Sequence, residues 1–333
     1  MSRVITFGEI LLRLTAPRHQ RFIQAQSFAA CYGGSEANAA VSLCNYGTSA
    51  EFVTRLPAHA LGQAAIDSLR ARGAGTRYIV RGGDRLGVYY VEQGAGYRGQ
   101  TIVYDRAGSA IAEAAANEFD WKHIFTDSGA EWFHFSGITP ALSDTCAALC
   151  SSACRAAKRL GLTVSCDLNY REALWSQEKA RRVMAELCRY VDVCIAYEDE
   201  PGDIFGIRAP EGLSRTDAAC TIARALRERF DFSAVAVTVS RSSSAMRRDW
   251  SAVLADRCSG SCCVSRCYEF DAVDRIGGGD AFSGALIHAL LNRLPMQQAI
   301  DFAAAAGCLK YTIEGDVNAV TSDEVMTLAG ITE

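Results

Sequence analysis

Six short apolar runs recur along this chain, at 4–7, 51–54, 132–135, 163–166, 191–196 and 234–239, with stretches of helical periodicity between them at 36–46, 62–72, 142–160, 177–189 and 216–229. Runs this short and this apolar are expected to be strands covered on both faces. Consecutive strands joined through helices of that length form βαβ units and therefore a parallel sheet. Two more helical patterns, at 281–291 and 296–311, close the chain. The expectation is one α/β domain over 1–333, with no internal repeat, low-complexity tract or long linker.

Two regions break the rhythm, at about 10–28 and 77–105. They hold short alternating segments such as Gly87-Val88-Tyr89-Tyr90-Val91 and Thr101-Ile102-Val103-Tyr104. Alternation of this kind predicts antiparallel strands, and two such insertions predict one small sheet lying over the main domain.

Composition narrows the function classes. A net charge of −4 argues against a general binder of nucleic acid or acidic membranes. No segment approaches the roughly 20 apolar residues of a membrane span. The apolar run behind Met1 is too short for a secretory signal, so a cytoplasmic setting is expected. Of 14 cysteines, several (Cys44, Cys146, Cys150, Cys154, Cys188, Cys308) fall in helical or strand patterns, where they act as small hydrophobes. The group Cys258, Cys262, Cys263 and Cys267 has neither paired CxxC spacing nor a nearby histidine, and is expected to be reduced thiols on two strands and their turn.

The sharpest motif is Asp274-Arg275-Ile276-Gly277-Gly278-Gly279-Asp280-Ala281-Phe282, just before an apolar helix. Glycines at a helix N-terminus let backbone N–H groups close on an anion, and the helix dipole favours negative charge there. Asp280 would sit in the first turn, placed to take a proton from an attacking hydroxyl. No lysine and serine or threonine follow the glycines, so this is not a Walker A loop. A second turn, Tyr32-Gly33-Gly34-Ser35-Glu36-Ala37-Asn38, combines close backbone approach with polar side chains and suits a polyhydroxy ligand. Either turn alone is equally a capped helix start.

Together the two turns resemble the ribokinase-like (PfkB-type) carbohydrate kinases. That resemblance implies a three-layer α/β/α sandwich with a small β-sheet lid, ATP with Mg²⁺, and a homodimer formed through the lid. It implies sugar contacts from Gly33, Gly34 and Asn38, with Gly277, Gly278, Gly279 and Asp280 as anion hole and base. The stretches Phe7-Gly8-Glu9-Ile10-Leu11-Leu12-Arg13-Leu14, Tyr104-Asp105-Arg106-Ala107-Gly108-Ser109-Ala110, Asp167-Leu168-Asn169-Tyr170-Arg171 and Gly315-Asp316-Val317-Asn318 are similar to the 2-keto-3-deoxygluconate kinase branch. This implies that Gly34, Tyr89, Tyr104, Arg106, Arg171 and Asp316 meet a sugar acid. The chemistry agrees, since a carboxylate calls for guanidinium forks and Arg106 and Arg171 supply them.

The resemblance further implies that Asn169, Thr238, Ser240, Gly277 and Gly279 flank the nucleotide, with Glu200 reaching magnesium through water. Two departures fall on that side. Tyr197 stands where the family's Asn-x-x-Glu motif has asparagine, and Thr238-Val239-Ser240-Arg241-Ser242-Ser243-Ser244 stands where glycines are usual. A fructokinase-like enzyme for a neutral sugar and a non-catalytic sugar-binding regulator are the alternative readings.

Overall fold

The computed structural model describes residues 3–242, 244–257 and 262–331. Its strands are β1 (Val4–Phe7), β2 (Leu11–Thr15), β3 (Ala29–Gly33), β4 (Ala50–Val53), β5 (Arg55–Leu56), β6 (Val80–Arg81), β7 (Val88–Glu92) and β8 (Thr101–Asp105). There follow β9 (Trp132–Ser136), β10 (Thr163–Asp167), β11 (Val193–Tyr197), β12 (Ala234–Ser242), β13 (Arg247–Asp256), β14 (Cys262–Val264) and β15 (Tyr268–Asp271). The main sheet runs β14-β13-β12-β11-β10-β9-β1-β4, with β15 also on β13. It is parallel from β4 to β12 and antiparallel beyond. The three antiparallel strands at that edge were not among the expected six.

Side chains along each central strand divide between two cores, as a doubly covered sheet requires. Ile5, Phe133, Cys194 and Val235 face helices Asp144–Arg159, Gln177–Leu187 and Arg215–Phe230. Their neighbours Val4, Trp132, Val193 and Ala234 face helices Ser35–Asn45, Gly278–Leu291 and Met296–Lys310. The α/β/α sandwich is therefore present. The helix expected over 142–160 is Asp144–Arg159, and a short helix, Ile138–Leu142, precedes it. Ser143 between them is extended and caps the longer one through its side chain.

A four-stranded sheet, β3-β2-β7-β8, is separate from the main one. Its two hairpins are antiparallel, but β2 and β7 pair in parallel, which corrects the expectation of antiparallel strands throughout. The chain enters both hairpins in the same direction and their first strands lie side by side. Strand β3 also falls at Ala29–Gly33, beyond the 10–28 segment.

From β1 the chain steps to β4 on one side, whereas β9, β10, β11 and β12 succeed one another on the other side. The crevice beyond the carboxyl ends of β1 and β9 is thus a topological switch point, where sheets of this kind bind ligands.

Candidate active site

A cavity of about 460 Å³ opens at that switch point. Its wall takes Glu9 from beyond the end of β1, Asp167 from the end of β10 and Asn169 after it, Tyr197 from the end of β11 and Glu200 after it, and Thr238 from β12. The small sheet roofs it with Leu11, Tyr89, Ile102 and Tyr104. Both glycine turns reach it, Gly33 and Gly34 from one side and Gly277, Gly278 and Gly279 from the other. Asn38, Arg106, Arg171, Asp280 and Asp316 line it as well.

Ser240 is the exception among the residues singled out from the sequence. It is buried outside the cavity wall, where its hydroxyl accepts from Arg248 Nε (2.5 Å) and its carbonyl from Tyr197 (3.0 Å). Tyr197, the residue that departs from the motif, therefore braces β11 against β12. Ser243 and Cys258 lie outside the described residues. Cys262 and Cys263 are on β14, and Cys267 is exposed after it.

The Gly277 turn is possible only for glycine. Its φ is +86°, and a Cβ there would lie 1.9 Å from the Asp316 carbonyl. This turn starts helix Gly278–Leu291 with free N–H groups facing the cavity, and Asp280 stands in its first turn. Asp280 Oδ2 accepts from Asn38 Nδ2 (2.7 Å), and Oδ1 from Ser35 Oγ (2.9 Å). Burial pushes the carboxyl up, while these two bonds pull it down. Asn38 spends its carbonyl on the Gly34 N–H (3.2 Å), so both ends of its amide are engaged. Ser35 in turn accepts from Asn169 Nδ2 (3.2 Å). The first glycine turn therefore delivers a frame that holds Asp280 across 242 residues of sequence.

Buried charged residues in and behind this wall, Glu36, Arg13 and Lys310, were not assigned roles from the sequence. Glu36 is buried at the crevice, and its Oε1 accepts from Ser136 N (2.8 Å), Ser136 Oγ (2.8 Å) and Thr139 Oγ1 (2.6 Å). Burial nevertheless raises its carboxyl to about 7. Arg13, on β2, is fully buried and bonds Asp316 and Asp274, each at 2.7 Å. Tyr89 also donates to Asp316. Lys310 is buried beside the same two aspartates and donates to the Ile313 carbonyl (3.0 Å). The two cations and two anions balance under the glycine turn. The available signals were a lone arginine in the apolar run Leu11-Leu12-Arg13-Leu14 and a lone lysine ending the alanine-rich helix Met296–Lys310.

The arginines expected to meet a carboxylate differ in their engagement. Arg106 gives Nε (2.8 Å) and Nη2 to Glu9 and lies over the Tyr104 ring. Arg171 is exposed at the cavity, donates to the Tyr170 carbonyl (2.9 Å), and has no ion-pair partner among the described residues.

The fit of a divalent cation can be judged from the opposite wall. Asp167 is pushed well above the usual carboxylate range by burial, then by Glu200 and Asp280. Glu200 is raised by burial and accepts from the Tyr170 and Tyr197 N–H groups, each at 2.9 Å. Asn169 Oδ1 is buried without a donor, on a residue whose φ is +37°. Among the described residues no three His, Cys, Asp or Glu are grouped to hold a metal by themselves. Such a wall suits an ion that brings most of its ligands with it, as magnesium does with phosphates and water.

Over residues 1–323 the chain matches the family model described as pfkB family carbohydrate kinase. It is similar to the 2-dehydro-3-deoxygluconokinase of Thermotoga maritima, with 46% identity and a TM-score of 0.95 over 99% of this chain and 98% of that one. It is 36% identical to the 2-dehydro-3-deoxygalactonokinase of Haloferax volcanii over 97% of this chain and 95% of that protein. The fold is shared with a fructokinase of Xylella fastidiosa solved with bound ATP, at 22% identity and a TM-score of 0.78 over 99% of each chain.

Proposed function

This chain belongs to the pfkB family of carbohydrate kinases, and from that premise we propose that it moves the γ-phosphoryl group of ATP to the primary hydroxyl of 2-keto-3-deoxygluconate. The reading is carried by one observation: the two glycine turns meet at Asp280. A carboxylate held by Asn38 and Ser35 stands in the first turn of a helix whose N–H groups are free. Asp280 takes the proton of the attacking hydroxyl, and the Gly277, Gly278 and Gly279 backbone receives the charge of the transferring group. Asp167, Asn169 and Glu200 would approach magnesium brought in with ATP, and the ion would supply neutralisation of phosphate charge.

The small sheet acts as a lid, and its closure excludes water as a competing acceptor. Arg171 meets the substrate carboxylate with its unpaired fork, Arg106 supports it from Glu9, and Gly33, Gly34, Tyr89, Tyr104 and Asp316 complete the sugar side. The proposed setting is cytoplasmic. The lid also supports a homodimer. Its edge strand β8 exposes Val103 (49%), and Phe28, whose ring meets Tyr90 of β7, is exposed by 39%.

The test is ATP turnover over a panel containing 2-keto-3-deoxygluconate, its C4 epimer and neutral hexoses, with Asp280→Asn beside the native protein. The expected result is a clear preference for a sugar acid and a loss of about 100-fold or more in kcat for the variant. Preference for a neutral hexose moves the assignment to a fructokinase-like enzyme. Near-native turnover by Asp280→Asn removes Asp280 from the mechanism.

A further inference from the structure

The serine-bearing end of β12, where glycines were expected, holds two guanidinium groups at the edge of the cavity. Arg248, on β13, lies across from Ser242 in the β12–β13 register. Its Nε donates to Ser240 Oγ (2.5 Å), and its guanidinium stacks 4.6 Å from the centre of the Tyr311 ring. Arg275 leads into the glycine turn and donates Nη2 to Ser242 Oγ (2.9 Å). Both arginines are half-buried and line the cavity beside Thr238 and Gly277.

Neither arginine has a carboxylate partner among the described residues, in a protein where most arginines with this much burial find one. Their neighbours are serines and the rings of Tyr311 and Tyr197, none of which carries a compensating charge. Burial and the nearby Arg248 both disfavour the charge on Arg275. Two guanidinium groups held side by side without a counter-ion form an unbalanced site, and an anion with several negative oxygens would balance it.

We propose that Arg248 and Arg275 clamp the polyphosphate of the nucleotide, and that Ser240 and Ser242 hold the clamp rather than the phosphates. This rests on the kinase reading given above. The side chains take over work that a glycine loop would do with backbone N–H groups. Ser240 then acts as a positioning residue, which accounts for its place outside the cavity wall.

Calorimetric titration of adenosine, ADP and ATP, with magnesium present, tests this on the native protein, Arg248→Gln, Arg275→Gln and Arg275→Lys. Native-like circular dichroism and melting are checked first, and Arg275→Lys serves as the conservative control. Each glutamine variant should bind ADP and ATP about 10- to 100-fold more weakly, as expected when a charge-assisted contact is lost. Adenosine should bind as before, the lysine variant should recover part of the loss, and the KM for the sugar acid should hold. Unchanged ADP and ATP binding in both glutamine variants overturns the clamp. So does an equal loss for adenosine, or a loss that appears only in the sugar-acid KM. Failure of the native protein to bind any adenine nucleotide would instead overturn the kinase reading itself, and the clamp with it.

Discussion

Replacing Asn38 by alanine should displace the pH profile of turnover rather than abolish turnover. Asp280 is held by two donors, Asn38 Nδ2 at 2.7 Å and Ser35 Oγ at 2.9 Å. Both favour its charged form, and burial opposes them. A proton acceptor must be charged to work, so activity falls as pH drops through the Asp280 pKa. Removing a donor raises that pKa, and the acid limb moves to higher pH. A hydrogen bond to a charged group contributes about 1.5–3 kcal/mol, and about 1.36 kcal/mol corresponds to one pH unit. The limb should therefore move up by about one to two units in Asn38→Ala. The move should be smaller in Ser35→Ala, whose bond is the longer of the two. Above the limb, kcat should recover, because a more basic carboxylate is no worse an acceptor. The assay is kcat at saturation with both substrates from about pH 5 to 9.5. An unmoved limb with a raised sugar KM would refute the argument and return Asn38 to direct sugar contact.

Three further outcomes follow from other contacts. Arg171→Ala should weaken the sugar acid by roughly 30- to 1000-fold while barely affecting ATP, and Arg171→Lys should recover only part; an equal loss for a neutral sugar would deny the carboxylate contact. The Glu36 carboxyl rises from 4.5 to about 7 on folding, which at about 1.36 kcal/mol per unit amounts to roughly 3 kcal/mol. The folded state then holds the extra proton between those values, so stability should fall as pH rises from about 4.5 to 7 and level off above. Urea midpoints across that window should show a flatter slope for Glu36→Gln, and identical slopes would refute the assignment. Arg13→Met leaves Asp274 and Asp316 buried without their shared partner and should cost about 3–5 kcal/mol of stability; an unchanged urea midpoint would mean that the pair is not buried as described.

The layer architecture was legible because βαβ patterning is local: apolar runs of strand length, each followed by a helix, place the parallel sheet without any knowledge of tertiary contacts. The site turns were legible for the same reason, since Gly277 and Gly33 mark close backbone approach within a few residues. The small sheet was legible in its alternation but not in its pairing. The β2–β7 register is set by contacts between segments some 75 residues apart, as in Leu12 opposite Val88. The role of Asn38 depends on Asp280, 242 residues along the chain, which local pattern does not connect; that of Ser240 depends on the β12–β13 pairing, which brings Arg248 to its hydroxyl. Arg248 and Arg275 escaped for a related reason. Their significance lies in a missing counter-charge, and that is a property of the assembled cavity.

The ties between Arg13 and its two aspartates join the beginning of the chain to its end, spanning 261 and 303 residues. During synthesis at roughly 5–20 residues per second, the second strand waits about 15–60 s for Asp316 to emerge. Until then a guanidinium destined for complete burial has only Asp274 of its two anions to meet. A chain that stops short of Asp316 keeps Asp280 and both glycine turns, yet it lacks one of the two anions that hold the strand above them. The roof of the cavity is thereby tied in full only by residues that follow helix Met296–Lys310, close to the last part of the chain to be made.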